Sequence, residues 1–346
     1  MNDHPKAATR VAWIDVCRGI GITLVVIGHN LDVMRGMPSL HYALYLFHVP
    51  LFFYLTGLTL QPASEWSVVA KRAGRILVPY LLLSLLTLPF AMREFPGMPL
   101  SDIALGIVYG SGYTIGNIPL WFLPCMTLAL IIALGVIRMS KTWMITSLMV
   151  ILIAGGAWWM NLSQSHLIRS LTWGSLAQNG PLWSADIALL AAGYMLAGYL
   201  MSNLLQERSQ HLPTLSCVLV TGVAVIWLAA RYELRSDLNM RLFTPVWLTA
   251  PVAMAGIVAA IAAAMLLATQ TAVSNWLQIT GRSSLVILGL HSYIQQKAGK
   301  LAAIWLDQGP LLWLFAIACG ILAPICIDLW VIRRINFLNR IFYPRF

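Results

Sequence analysis

Asp15, Arg18 and His29 lie in one apolar run, Asp15-Val-Cys-Arg18-Gly-Ile-Gly-Ile-Thr-Leu-Val-Val-Ile-Gly-His29. Arg18 and His29 are eleven positions apart. As helix that is roughly 16 Å, with both side chains on nearly the same face. Asp15, three residues before Arg18, is within pairing reach of it. Charge inside a membrane helix is costly and is seldom kept without a role. A histidine titrates near neutrality, so His29 could take a proton from a hydroxyl while that oxygen attacks an acyl group. Arg18 would then neutralise a phosphate or a developing negative charge. The alternative is a structural Asp–Arg pair beside a packed histidine.

Further polar residues recur in later apolar runs. Phe47-His48-Val-Pro50-Leu-Phe-Phe-Tyr54-Leu-Thr-Gly57 places a histidine just before a proline. A bend at Pro50 would expose carbonyls near His48, which could assist His29, bind substrate or simply close a helix-interior hydrogen bond. Gly57 reads as a packing glycine, and His41 lies at the edge of the run. Lys71-Arg72-Ala-Gly-Arg75 gathers three cations at the mouth of another run. Paired guanidinium forks suit phosphate or pyrophosphate, and they equally suit headgroup anchoring. Arg282, His291, Gln295 and Lys297 mark a run whose polarity suits a helix lining an interior path. Asp328 precedes Arg333 and Arg334, which reads as a structural pair. Asp186 reads as helix-end positioning.

The elements that must carry these residues are membrane spans. The chain has 346 residues, 59% hydrophobic and only 10% charged, with a mean hydropathy of +0.78. Soluble domains carry about 25% charged residues. Apolar stretches recur at 12–32, 41–61, 76–92, 119–137, 142–160, 182–204, 213–231, 243–267, 284–304 and 311–332. Backbone polar groups must be paired internally in lipid, so an all-α polytopic membrane protein of about ten transmembrane helices is expected. The stretch 76–92 is short and flanked by Pro79 and Pro89, so it is expected tilted or broken. An even number of spans and the distribution of Lys and Arg would place both termini in the cytoplasm. The expected organisation is a cytoplasmic tail over 1–11, a transmembrane domain over 12–332 and a basic cytoplasmic tail over 333–346. Loops 93–118 and 161–181 are then external, and the first could cover a site or only connect.

The net charge of +10 sits between apolar runs, where headgroups and topology explain it without nucleic acid. The five cysteines show no metal or redox spacing. No Walker loop, dinucleotide-binding glycine pattern, nucleophile elbow or zincin motif is present, which favours direct transfer over a covalent mechanism.

In its motifs the chain resembles the acyltransferase 3 family of integral membrane acyltransferases, and within it the bacterial fucose 4-O-acetylase and enterobacterial-common-antigen O-acetyltransferase group. The resemblance rests on Arg18-x10-His29 with Asp15 and Gly19, on Phe47-His48-x-Pro50-Leu-Phe-Phe-x-x-Thr56-Gly57, and on Arg72-x-x-Arg75. Trp121-Phe122-Leu123 and Gly281-Arg282-Ser283-Ser284-Leu285…His291 extend it along the membrane domain. Thr56 stands where serine is commoner, which keeps the hydroxyl. The resemblance implies acetyl-coenzyme A as acyl-donor substrate, with no metal or prosthetic group. It implies an envelope glycan or lipid-linked saccharide as acceptor, in the bacterial inner membrane among lipids and glycan-assembly proteins. By analogy His29 acts in transfer with Arg18, Asp15 and His48 beside it, and Arg72, Arg75, Arg18 and Arg282 hold the donor. A transporter of an acyl donor or small metabolite remains the alternative, since intramembrane Asp, Arg and His suit a transport path as well. A membrane scaffold for glycan assembly is a third reading.

Overall fold

A computed structural model describes residues 12–63, 65–139, 141–164, 179–207, 211–307 and 309–344. The amino-terminal tail 1–11, most of the loop 161–181 and the last two residues of the basic carboxyl tail lie outside the described residues. The described chain is helical apart from a two-stranded hairpin.

The first four helices are short. α1 (Ala12–Gly28) ends just before His29, and α2 (Leu31–Gly36) begins two residues after that histidine. α3 (Pro38–Tyr45) and α4 (His48–Leu58) divide the stretch expected as one span over 41–61. Pro50 therefore does not bend a continuous helix. It sits in the first turn of α4, where its missing N–H interrupts no intrahelical bond. α5 (Trp66–Leu86) and α6 (Leu88–Glu94) meet at a 63° bend, the break expected of this stretch. α7 (Leu100–Tyr109) occupies the middle of the segment 93–118 and is closed by Gly110 in the left-handed conformation.

The longer helices follow. They are α8 (Phe122–Met139), α9 (Thr142–Gln164), α10 (Ala185–Glu207) and α11 (Leu212–Arg231). A hairpin of β1 (Ser236–Asp237) and β2 (Leu242–Phe243), paired antiparallel, leads to α12 (Val246–Leu267). α13 (Thr271–Arg282), α14 (Ser284–Ala302), α15 (Pro310–Ile327) and α16 (Asn336–Phe342) complete the chain.

Among the described residues, six helices are long and apolar enough to cross a membrane, or seven if the bent α5–α6 pair counts as one span. The expectation of about ten is thus corrected. The runs that drop out are those richest in site residues. α1 has 17 residues because the chain turns at His29 and Asn30, 41–61 is split, and α14 is diluted by His291, Gln295, Gln296, Lys297 and Lys300. The parity argument for two cytoplasmic termini falls with the count. α9 and α11 bury only 22% and 11% of their apolar windows and so present apolar faces outward, whereas α10 buries 72%. This is a multi-pass membrane protein with α10, α1 and α4 near its centre.

Small residues let these elements approach. A Cβ on Gly281 would collide with the Asp15 carbonyl, and one on Gly19 with the Leu277 carbonyl, so α1 and α13 touch backbone to backbone. Gly57 of α4 meets the Met195 carbonyl of α10 in the same way, the packing role expected of it.

Candidate functional site

The Gly19–Gly281 contact puts Arg282 beside Asp15, which is 1% exposed. The Asp15 carboxylate accepts from Arg282 Nε at 3.2 Å and from Arg18 at 3.5 Å. The two guanidiniums remain 39% and 31% exposed, so each still reaches solvent. Arg282 also donates to Gln278 at 3.0 Å. Asp15 thus holds two arginines in place, at the end of α1 remote from His29.

The same end is tied down by Asp328, which is fully buried. It accepts from Ser283 Oγ at 2.6 Å, Arg333 at 2.8 Å and the Tyr343 hydroxyl at 2.8 Å. The same Tyr343 oxygen lies 3.1 Å from the Arg282 carbonyl. The pairing of Asp328 with Arg333 read from the sequence is present.

Arg72 and Arg75 lie toward this end. Leu83 of α5 packs on Gly289 of α14, and Phe90 of α6 stacks on Tyr293 of α14 with ring centroids 3.8 Å apart. The two contacts run in the same order along both segments. Residues that precede them, Arg72 and Arg75 on one side and Arg282 on the other, therefore lie toward the same end of the bundle. Arg72 donates to the Gln61 carbonyl at 2.6 Å, which steadies its guanidinium at the start of α5.

Beyond the far end of α1 three histidines meet: His29 just after α1, His48 at the start of α4 and His291 in α14. The His29 ring lies 5.2 Å from His291 and 6.4 Å from His48, both edge to face. Tyr45 sits between His48, at 4.7 Å, and His41, at 4.1 Å. Each of the three histidines bonds through Nδ1 to the carbonyl four residues earlier: His29 to Val25 at 2.8 Å, His48 to Leu44 at 2.7 Å and His291 to Ile287 at 2.8 Å. A carbonyl only accepts, so each Nδ1 carries the proton and each Nε2 is left as a lone-pair acceptor. The Nε2 atoms of His48 and His291 are buried without a partner among the described residues. His29 is half-buried and lines a cavity of about 280 Å³. Asn117, from the segment after α7, donates to the Gly289 carbonyl at 2.8 Å, so part of 93–118 packs against α14 near His291.

His291 and Tyr45 complete a cluster that motif spacing alone does not assemble. They are separated from His29 in sequence; the bond from Nδ1 to the carbonyl four residues back is shared by His29, His48 and His291. Among the described residues no group of three or more His, Cys, Asp or Glu is placed to hold a metal ion. Away from this axis, Asp186 and Arg241 form a fully buried pair at 3.1 Å, with Ser184 Oγ and the Asn239 carbonyl completing the guanidinium's contacts. Asp186 opens α10, so the helix-end role extends to anchoring the hairpin.

These features define a multi-pass membrane protein with an arginine layer and a histidine layer joined by one interior helix. The chain belongs to the acyltransferase 3 family, whose acyltransferase-domain model matches residues 11–330. No curated protein and no solved structure matches it.

Proposed function

We propose that the protein is an O-acetyltransferase of the bacterial inner membrane, within the fucose 4-O-acetylase and enterobacterial-common-antigen O-acetyltransferase group. It moves an acetyl group from acetyl-coenzyme A to a hydroxyl of a cell-envelope polysaccharide or lipid-linked sugar. The observation that carries this reading is the geometry of α1, with Arg18 at one end and His29, its Nε2 free to accept, at the cavity near the other.

The acceptor hydroxyl gives its proton to His29 Nε2 while its oxygen attacks the thioester carbonyl. The C–S bond then breaks, and the coenzyme thiolate takes the proton back from the imidazolium. Arg18, Arg282, Arg72 and Arg75 pair with the donor's phosphates, a use that suits half-exposed guanidiniums. Asp15 positions Arg18 and Arg282. His48 supports His29 through ring packing and an acceptor nitrogen.

Coenzyme A release from acetyl-coenzyme A, in the presence of a lipid-linked saccharide and purified protein in detergent, tests the reading. His29→Ala should lower the rate by about 10²-fold or more while thermal unfolding stays cooperative. Saccharide-dependent release that survives in a folded His29→Ala protein refutes His29 as the base. Uptake into liposomes without release would identify a transporter instead.

A further inference from the structure

The chain turns sharply after His29. Asn30 Oδ1 accepts the backbone N–H of Asp32 at 3.1 Å and of Val33 at 3.0 Å, so α2 starts with only two residues between it and the end of α1. α2 is pinned at its other end, where Trp313 of α15 packs against Gly36 so closely that a Cβ would not fit. Asp32 and Arg35, three apart on α2, share a face, and both line the cavity onto which His29 opens. α14 forms the opposite wall with Gln295, Gln296 and Lys300.

Two properties of this wall point to a ligand. Gln295 is 2% exposed, and neither its Nε2 nor its Oε1 has a partner among the described residues. A buried amide with both groups unbonded is costly unless a ligand or water completes it. At the mouth, Arg35 and Lys300 are exposed, and among the described residues neither forms an ion pair. Asp32 is the single carboxylate lining the same cavity. The rim is therefore net positive, and below it Gln295 and His29 present polar groups among apolar residues such as Leu312 and Ala316. A volume of about 280 Å³ lies at the small end of ligand pockets and suits one sugar ring.

We infer that this cavity is the acceptor subsite and that it selects a saccharide bearing an oxyanion, phosphate or carboxylate. The sugar hydroxyls bond to Gln295 and His29, and the anionic group lies between Arg35 and Lys300. The Gln295 amide donates through Nε2 and accepts through Oε1, the pair of bonds that adjacent hydroxyls offer. The arginine fork matches either oxyanion, and the lysine adds a point charge. The inference rests on the reading that an acceptor hydroxyl meets His29.

Binding measured without acetyl-coenzyme A tests the subsite apart from the transfer reaction. The full-length protein in detergent is titrated by ligand-observed NMR with glucose 1-phosphate, glucuronate and glucose at low salt. At least one charged sugar should bind about tenfold tighter than glucose, and whichever does so distinguishes a phosphate-bearing from a carboxylate-bearing acceptor. Arg35→Gln with Lys300→Gln should bring the charged sugar down to the glucose level. Gln295→Leu should weaken all three by about tenfold, and Asp32→Asn should tighten the charged sugar severalfold. Equal binding of all three sugars, no binding of any, or a charge preference that survives the double substitution or is unmoved by Asp32→Asn overturns the inference. A preserved charge preference without any coenzyme A release would overturn the transfer reading and leave the subsite standing.

Discussion

Asp15→Asn separates a carboxylate that takes part in chemistry from one that positions its neighbours. The carboxylate lies 3.5 Å from Arg18 and 3.2 Å from Arg282. At an effective dielectric of about 20, each contact is worth about 5 kcal/mol in gross Coulomb energy. Both guanidiniums are roughly a third exposed, and burying the carboxylate costs solvation, so the net value per contact falls to about 1 kcal/mol. Asparagine keeps one oxygen as an acceptor and loses the charge. The expected loss is about 2 kcal/mol, a fall of several degrees in the unfolding temperature in detergent. The arginines remain but lose their alignment, so the KM for acetyl-coenzyme A should rise about tenfold while kcat changes less than about twofold. Initial rates of coenzyme A release over a range of donor concentrations give both constants. A folded variant with unchanged KM would show that the arginines hold their places without Asp15. A fall in kcat at constant KM would put Asp15 in the chemistry and refute the positioning argument.

Gly281→Ala attacks the same junction sterically, because its methyl meets the Asp15 carbonyl; it should reproduce the rise in donor KM, with a loss of about 1–3 kcal/mol in thermal unfolding. His291→Phe keeps the ring beside His29 but removes its nitrogens, and it should lower kcat about tenfold at constant donor KM; an unchanged kcat would reduce His291 to packing. Asp186→Leu alone strands the fully buried Arg241 and should cost about 3–5 kcal/mol, most of it recovered when Arg241→Met is added, as a double-mutant unfolding cycle would show. Asp237, in the hairpin between α11 and α12, has its carboxyl pushed above the usual carboxylate range by burial, against the pull of the Met240 and Asn239 N–H groups and of Arg241. A raised folded-state value means that the folded protein binds this proton more tightly than the unfolded chain, so its contribution to stability declines as pH rises from about 4 through the folded value; Asp237→Asn should flatten that decline in unfolding scans between about pH 4 and 8.

Much of the site was legible because its chemistry is written locally. Asp15 with Arg18, and Asp328 with Arg333, are pairs close in sequence, and the structure contains both. The break between α5 and α6 was readable from Pro89, in the first turn of α6, whereas Pro79 lies within the unbroken α5. Hydropathy windows misled where polar residues are densest. α1 stops at Gly28 because Asn30 caps a new helix two residues on, and Pro50 is accommodated by starting α4 at His48, neither of which a window average detects. Arg282 as a partner of Asp15 was invisible as a pair, since 267 positions separate them and only the Gly19–Gly281 contact brings their backbones close enough.

Taken alone, the sequence determined that this is an all-helical membrane chain with ionisable residues kept inside its apolar runs, because composition and the cost of charge in lipid are properties of residues by themselves. It also aligned Arg18 and His29, since helical periodicity relates positions within one segment. Only the tertiary structure decided that His29, His48 and His291 converge, that Gln295, Arg35 and Lys300 share a cavity with His29, and that Asp15 serves two arginines. Those relations depend on how separate helices pack, and that is set by glycine contacts and capping turns which no single segment's periodicity encodes.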